Sequence, residues 1–220
     1  LRPVSSAHGA VAALRADPAG YREILGLIVN MRKLPKAFRY IPSISSHLKQ
    51  NRTTLLVSAL PKSNINAVLA RRLSGVDTRV VIGAHIHLSA QDSDGGSRGN
   101  SRVRAMQPTM RRYYHQADLV VAVSKGVARD TMTYLGLPGH LVKTIYNPVA
   151  AREIKGLSEE QPEHPWFEQR DLPVVLGIGR FVPQKDFPLL VRAFAELRKK
   201  RPARLVILGG DEASDEQARY

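Results

Sequence analysis

Two basic side chains, Arg180 and Lys185, lie in a short polar turn between an apolar strand pattern and an amphipathic helix pattern. The strand pattern covers Val174–Ile178, and a second one ends near residue 208, so the segment predicts a βαβ unit. In an open parallel sheet, ligands bind beyond the carboxyl ends of the strands, where cations favour an anionic ligand. The turn is therefore predicted to bind phosphate.

Two glycines, Gly177 and Gly179, stand directly before these cations. Glycine allows backbone conformations and close approaches that other residues resist, which suits a ligand-binding loop. The pair lacks the third glycine and the acidic partner of a dinucleotide fingerprint, so the pattern argues against NAD. An ordinary exposed loop with two cations is the alternative explanation.

Two histidines, His85 and His87, follow another strand pattern at residues 78–82, again at a carboxyl end. Histidines at this spacing can ligate a metal, but a third ligand is not evident nearby in the sequence, so we expect no metal site. An exposed pair without a chemical role is the alternative.

Strand and helix patterns alternate along the chain, which predicts a parallel sheet of α/β class. Ser124 and Asp186 are each predicted to cap a helix and Gly75 to end one. The apolar residues of the helix after Asp186 recur at helical spacing and are predicted to face the sheet; they are Leu189, Leu190, Ala193, Phe194 and Leu197. The first thirty residues are weakly periodic. The predicted strands are 53–60, 78–82, 118–123, 141–145 and 174–178, and the predicted helices are 35–50, 64–73, 103–115, 124–135 and the one after Asp186.

Basic residues outnumber acidic ones, with 33 Lys and Arg against 19 Asp and Glu and a formal net charge of +14. This excess favours anionic partners such as phosphorylated substrates or acidic lipid surfaces. Nucleic acid is not expected, because aromatic residues form only 6% of the chain and its binding motifs are absent from the sequence. The lack of cysteine excludes disulfides, thiolate metal sites and a cysteine nucleophile.

The residues around the cationic turn resemble a known enzyme family. Positions 177–188 read GIGRFVPQKDFP, and positions 117–124 read ADLVVAVS ahead of IYNPV at 145–149. Both stretches resemble glycosyltransferase family 4, whose members are retaining, metal-independent enzymes of the GT-B fold. The resemblance implies two Rossmann-like parallel-sheet domains, both incomplete here.

The same resemblance implies how the chain is divided. It assigns residues 1–147 to an acceptor-side domain that lacks its first strands and 173–220 to the start of a nucleotide-sugar-binding domain. Residues 148–172, which carry three prolines and the single Trp, are predicted to be an interdomain linker. Trp166 and Phe167 are expected to have a structural role, with a sugar-stacking platform as the alternative. Because the chain begins with Leu and stops just after a strand pattern, we expect a fragment of a longer protein.

The family also implies roles for the residues above. Arg180 and Lys185 are expected on the donor diphosphate, with Gly177 and Gly179 shaping the loop backbone. His85 is expected near the reacting sugar or acceptor, with His87 as the alternate. The tract from Lys62 to Asn66, at another strand end, is expected to contribute to the acceptor face. No cofactor is expected, since the family is metal-independent and the nucleotide sugar is a substrate.

The implied activity is transfer of a hexose, from a UDP-sugar, to a glycan or lipid-linked acceptor with retention, as in polysaccharide or lipopolysaccharide biosynthesis. The expected location is the cytoplasm, at the inner face of the cytoplasmic membrane. The family's glutamate pair, seven residues apart, has no counterpart, because Glu212 and Glu216 are too closely spaced. The fragment alone is thus expected to be inactive, and a noncatalytic nucleotide- or polyanion-binding module is the alternative function.

Overall fold

The chain folds as two units, Leu1–Pro148 and Val149–Tyr220. The computed structural model describes residues 2–30, 36–93, 100–148, 151–160, 162, 164–168 and 171–209. Glu212 and Glu216 lie outside the described residues. Assignment of the first unit to an acceptor and the second to a donor stays a prediction.

The first unit is built on a four-stranded parallel sheet in the order β1-β2-β3-β4. Val80, Ile82 and Val120 on the middle strands are fully buried, which explains their unbroken apolar patterns. This confirms the predicted α/β class with parallel strands. The strands are β1 (Leu55–Ala59), β2 (Arg79–Ala84), β3 (Leu119–Ala122) and β4 (Val142–Thr144).

Helices cover this sheet and connect its strands. Within the described residues, none is long and apolar enough to cross a membrane. The α-helices of the first unit are α1 (Ser6–Ala16), α2 (Tyr21–Asn30), α3 (Ile41–Asn51), α4 (Pro61–Ser74), α5 (Leu88–Ser93), α6 (Asn100–Tyr114) and α7 (Lys125–Leu135), with 3₁₀ turns at Pro18–Gly20, Lys36–Tyr40 and Gly139–Leu141.

Helix ends in this unit follow the local sequence as predicted. α4 ends at Gly75, which adopts the left-handed conformation at φ 67°. The Ser124 hydroxyl accepts a hydrogen bond from the Val127 amide at 3.1 Å and caps α7. Both predictions are confirmed.

Helices α1 and α2 occupy the stretch in which the sequence showed only weak periodicity. The buried side of α1 is formed by Ala10, Ala12, Ala13 and Ala16, whose small side chains give little hydrophobic contrast. Asp17, just after α1, is fully buried and accepts hydrogen bonds from Arg112 on α6 at 2.7 Å and from Arg72 on α4 at 3.2 Å. A buried carboxylate therefore joins the first helices to the sheet unit.

The second unit contains one parallel pair, β5 (Val174–Ile178) and β6 (Arg204–Leu208), connected through a 3₁₀ turn (Pro183–Lys185) and α10 (Phe187–Lys200). This is the predicted βαβ unit. The Asp186 carboxylate accepts a hydrogen bond from the Leu189 amide at 3.2 Å, which confirms the expected cap of α10.

The buried side of α10 differs in part from expectation. Leu190, Phe194 and Leu197 are half-buried, but Leu189 and Ala193, also predicted to face the sheet, are exposed. That part of the prediction is wrong because two described strands offer the helix only a narrow surface, too small to bury its whole apolar stripe.

The segment predicted to be a linker contains two short helices, α8 (Ala151–Ser158) and α9 (Pro165–Glu168). Trp166 lies at the start of α9, and the guanidinium carbon of Arg204 lies over its ring, 5.4 Å from the ring centroid. Arg204 also pairs with Asp171 at 2.8 Å. These contacts support the structural role expected for the Trp.

Candidate functional site

The carboxyl ends of β1 and β2 lie side by side, because the strands are parallel and paired in register from Leu55 with Arg79 to Ala59 with Gly83. His85 is the first residue beyond β2 and is exposed. The strand ends two residues later than predicted, at Ala84 instead of residue 82, which brings its end directly to this imidazole. The structure thus places His85 at the sheet edge where α/β proteins bind ligands.

The His85 ring lies over Gly83. A Cβ atom at Gly83 would come within 2.7 Å of His85 Nε2, so a larger residue there would displace the imidazole. The ring also borders a small enclosed cavity together with Leu60, Pro61 and Tyr114. Its position is set by a close approach that the sequence pattern did not indicate.

A buried amide, Asn64 on α4, fixes the strand ends beneath His85. Its Nδ2 donates to the Gly83 carbonyl at 3.0 Å and to the Tyr114 hydroxyl at 2.8 Å, while its Oδ1 accepts from Ser58 Oγ at 2.9 Å. Burial raises the pKa of Tyr114 to about 12, so this hydroxyl is neutral. The sequence did not predict this network, because a polar residue early in a helix is ordinarily expected to be exposed.

The tract from Lys62 to Asn66 was expected to contribute to an acceptor face. The structure divides it: Lys62 and Ser63 are exposed, whereas Asn64, Ile65 and Asn66 are buried. Only the first two side chains are placed to reach a ligand at this edge.

His87, the alternate to His85, is held by a carboxylate. Its Nδ1 lies 3.2 Å from Oδ1 of Asp130, a buried residue of α7. Asp130 Oδ2 accepts from the Leu88 amide at 2.6 Å and the Ser89 amide at 3.3 Å, so it also fixes the chain at the start of α5. The arrangement gives His87 a structural partner and favours His85 for chemistry.

In the described part of the chain, no three His, Cys, Asp or Glu side chains come together as metal ligands. His85 and His87 point to different surroundings, Gly83 and Asp130 respectively. Independence from a metal stays a prediction.

The cationic turn of the second unit lies at the carboxyl end of β5. Arg180 and Lys185 are both exposed, and among the described residues neither forms a salt bridge. The aliphatic stem of Lys185 lies over Gly179, whose added Cβ would be 3.1 Å from Lys185 Cε. The turn thus presents two uncompensated positive charges and directs Lys185 across the strand end.

The two glycines of the turn have different surroundings. A Cβ at Gly177 would lie 2.8 Å from Leu190 Cδ2 and 3.2 Å from Phe187 Cε1, so this position lets α10 pack on β5. Gly179 lies beyond the strand, and its amide donates to the Leu208 carbonyl at 2.9 Å. Gly179 is therefore better placed than Gly177 to approach a ligand, while both remain predicted loop-shaping positions.

The first-turn amides of α10 are only partly available to an anion. Asp186 adopts the left-handed conformation at φ 45°, and its carboxylate receives the Leu189 amide. Pro188 has no amide hydrogen to donate. The arrangement therefore leaves anion binding mainly to the side chains of Arg180 and Lys185, as guanidinium and ammonium groups are able to do.

Comparison with known proteins gives a family match. Residues 5–153 match the family model described as Glycosyltransferase Family 4. A stretch of 73 residues is 38% identical to the GDP-Man:Man(3)GlcNAc(2)-PP-Dol alpha-1,2-mannosyltransferase of Neurospora crassa, covering 31% of this chain and 13% of that protein.

A solved structure is similar in fold. Anabaena HepE, crystallised with UDP-glucose, matches 82% of this chain with a TM-score of 0.53 and 19% sequence identity, and the match covers 45% of HepE. This likeness confirms the predicted GT-B fold type. The chain thus spans less than half the length of each of these two proteins.

Proposed function

The chain belongs to glycosyltransferase family 4, and from that premise we propose that it takes part in moving a hexose from a nucleotide-diphosphate sugar to an acceptor with retained configuration. The proposal depends above all on one observation, the pair of uncompensated cations at the carboxyl end of β5. Each unit contributes its own side chains to this function.

Sugar transfer from a nucleotide diphosphate requires positive charge at the leaving group. When the bond between the anomeric carbon and the β-phosphate oxygen breaks, negative charge builds on the diphosphate, and fixed cations stabilise it. Arg180 can contact two phosphate oxygens through its planar guanidinium, and Lys185 adds a compact charge. In this proposal they act in place of a metal, and no cofactor is used.

His85 is proposed as the residue that approaches the reacting sugar or the acceptor hydroxyl. Its imidazole lies at a strand end and over Gly83, and within the described part of the chain it forms no ion pair like that of His87 with Asp130. The acceptor oxygen forms the new bond to the anomeric carbon as the bond from that carbon to the diphosphate breaks, and the hydroxyl proton passes to the departing diphosphate.

The donor is proposed to be a UDP-sugar. Anabaena HepE was crystallised with UDP-glucose, whereas the Neurospora enzyme is named for GDP-mannose, so the two relatives differ in base. UDP and GDP should therefore be compared directly.

The acceptor is proposed to be a glycan or a lipid-linked saccharide, as in polysaccharide or lipopolysaccharide biosynthesis. The Neurospora relative is named for a dolichol-diphosphate-linked acceptor. The proposed location is the cytoplasmic side of an anionic membrane. The formal charge of +14 supports electrostatic attraction of the protein to such a surface. Vesicle binding that does not weaken with salt would contradict this surface attraction.

The first experiment is a calorimetric titration with UDP, UDP-glucose and GDP. Arg180→Ala and Lys185→Ala should each weaken UDP binding by about tenfold or more, since a hydrogen bond to a charged group contributes about 1.5–3 kcal/mol. Binding is the readout because the chain spans only 45% of HepE.

The matched control is Lys200→Ala, an exposed cation at the far end of α10, which should leave UDP affinity unchanged. Equal affinity in the parent, Arg180→Ala and Lys185→Ala would refute the donor site at this turn. Tight UDP binding by the complete enzyme without turnover would support the noncatalytic alternative instead.

A further inference from the structure

A second cavity, distinct from the cationic turn, lies beside the carboxyl ends of β1 and β2 in the first unit. It has a volume of about 550 Å³, within the range of small-molecule sites. We refer to it as the α4–α6 groove. Its apolar wall is formed by Tyr40, Leu60, Ile86, Val103, Met106 and Met110.

The wall combines a buried floor with an exposed apolar rim. Met106 and Met110 on α6 are almost fully buried, at 4% and 0% exposure, whereas Leu60 and Tyr40 at the rim are 60% and 41% exposed. Methionine side chains adapt to irregular apolar ligands because they are flexible and polarisable. The groove is thus suited to a flexible hydrocarbon chain.

The backbone at the rim holds its apolar side chain in an unusual conformation. Leu60 has φ 75° and ψ 140°, a region that residues with a side chain rarely adopt. Such a conformation persists only where the surrounding structure enforces it, and these positions cluster at binding and catalytic sites. Here it leaves Leu60 exposed at the groove mouth, between β1 and α4.

Charge at the mouth favours an anionic head group. Lys62 borders the groove and is exposed. It lies in the first turn of α4, a 14-residue helix whose N-cap Leu60 provides no side-chain hydrogen bond. The ammonium group and the positive end of the helix both attract an anion, so the groove has an apolar body and a cationic mouth.

The groove also adjoins the residue proposed for chemistry. Leu60, Pro61 and Ile86 border both the groove and the small cavity beside His85. A lipid whose hydrocarbon chain fills the groove and whose head group lies at Lys62 would therefore place that head group next to the carboxyl end of β2. A sugar attached to that head group would lie towards His85.

We propose that the α4–α6 groove binds the hydrocarbon chain of a lipid-phosphate-linked acceptor, with its phosphate at Lys62. The inference rests on the proposed transferase function and narrows its acceptor from glycans in general to lipid phosphates. The groove lies entirely in the first unit, so its occupancy is measured independently of the donor turn.

The test is a titration of the intact chain with farnesyl phosphate below its micellar concentration, with farnesol and inorganic phosphate as partial probes. Leu60→Asn removes the exposed apolar rim, and asparagine tolerates positive φ better than leucine does. Lys62→Glu reverses the charge at the mouth. The matched controls are Leu157→Asn and Lys143→Glu, both exposed and outside the groove.

Farnesyl phosphate affinity should fall at least about tenfold in Leu60→Asn and in Lys62→Glu, and stay unchanged in both controls. Farnesol binding should weaken only in Leu60→Asn. Equal affinity of the parent and both groove variants, or attachment to phosphatidylglycerol vesicles without binding of monomeric farnesyl phosphate, would overturn the proposal.

UDP binding, followed in the same samples, separates the two claims. It should be the same in the parent, Leu60→Asn and Lys62→Glu. Farnesyl phosphate binding that depends on Leu60 and Lys62 in a chain without UDP affinity would uphold the groove and refute the donor site. UDP binding by a chain whose farnesyl phosphate affinity does not depend on Leu60 and Lys62 would refute the groove alone.

Discussion

Replacement of Asp17 by asparagine should destabilise the first unit by about 2–3 kcal/mol at neutral pH. Asp17 is fully buried and receives hydrogen bonds from Arg72 (3.2 Å), Arg112 (2.7 and 3.2 Å) and the Tyr113 hydroxyl (3.2 Å). These partners are all donors. Asparagine offers them one oxygen and turns its own amide hydrogens towards the rest.

The magnitude follows from the exposure of the partners. Loss of one member of a buried ion pair costs about 3–5 kcal/mol when the other charge stays desolvated. The side chains of Arg72 and Arg112 are 39% and 28% exposed, so water can recover part of their solvation and the expected loss is about 2–3 kcal/mol. Arg112→Ala removes two hydrogen bonds to Asp17, at 2.7 and 3.2 Å. Arg72→Ala removes one at 3.2 Å together with the Arg72 bonds to the Ala16 carbonyl and the Gln116 side chain, so both variants should be less stable than the parent.

The loss should also depend on pH. Burial alone would raise the pKa of the Asp17 carboxyl, but hydrogen bonds from Arg112 and Tyr113 and the charge of Arg72 lower it below the ordinary value of 3.8. A carboxyl with a lowered folded-state pKa adds stability above its unfolded pKa and loses it as the pH falls through the folded value. The difference between the parent and Asp17→Asn should be full at pH 7 and shrink below about pH 4.

Urea denaturation at several pH values between 3 and 7, followed by circular dichroism, measures this difference as a free energy of unfolding. Asp77→Asn, an exposed aspartate beyond α4, is the control and should change stability by less than about 0.5 kcal/mol. A loss for Asp17→Asn below about 1 kcal/mol at pH 7 would contradict the argument. So would a loss that is the same at pH 3 and pH 7.

Further substitutions test a buried network and a helix cap at the ends of the strands in the first unit. Asn64→Leu should cost about 1–3 kcal/mol in urea denaturation, because the Gly83 carbonyl loses a buried donor; Tyr114→Phe should cost less, and equal losses would contradict the ranking. Ser124→Ala should cost about 1 kcal/mol by removing the cap from the Val127 amide, whereas Ser124→Asp should keep most of the stability; equal loss in both would show that the cap has little effect.

Patterns that repeat every few residues were sufficient for the order of the strands. The βαβ unit around Val174–Ile178, the end of α4 at Gly75 and the cap of α7 at Ser124 follow from local sequence, because periodicity and capping depend on neighbours within one or two turns. The resemblance of two short stretches gave the family, which the match over residues 5–153 shows.

The local sequence pattern did not predict the structure where hydrophobic contrast was weak or where a residue's partner lay far away in the sequence. α1 presents alanines, which contrast little with polar neighbours, and Leu189 was assigned to a buried side that two described strands cannot cover. The sequence favoured His85 over His87 only by resemblance to the family, because the partner of His87, Asp130, lies far along the chain.

The sequence by itself determined the parallel α/β class, the helix ends and the presence of Arg180 and Lys185 at a strand end, since each depends on residues close in the chain. Tertiary structure alone decided that Asn64 is buried beneath His85 and that Leu60 and Met106 border one groove. Those relations join residues tens of positions apart, and they depend on packing that only the folded chain creates.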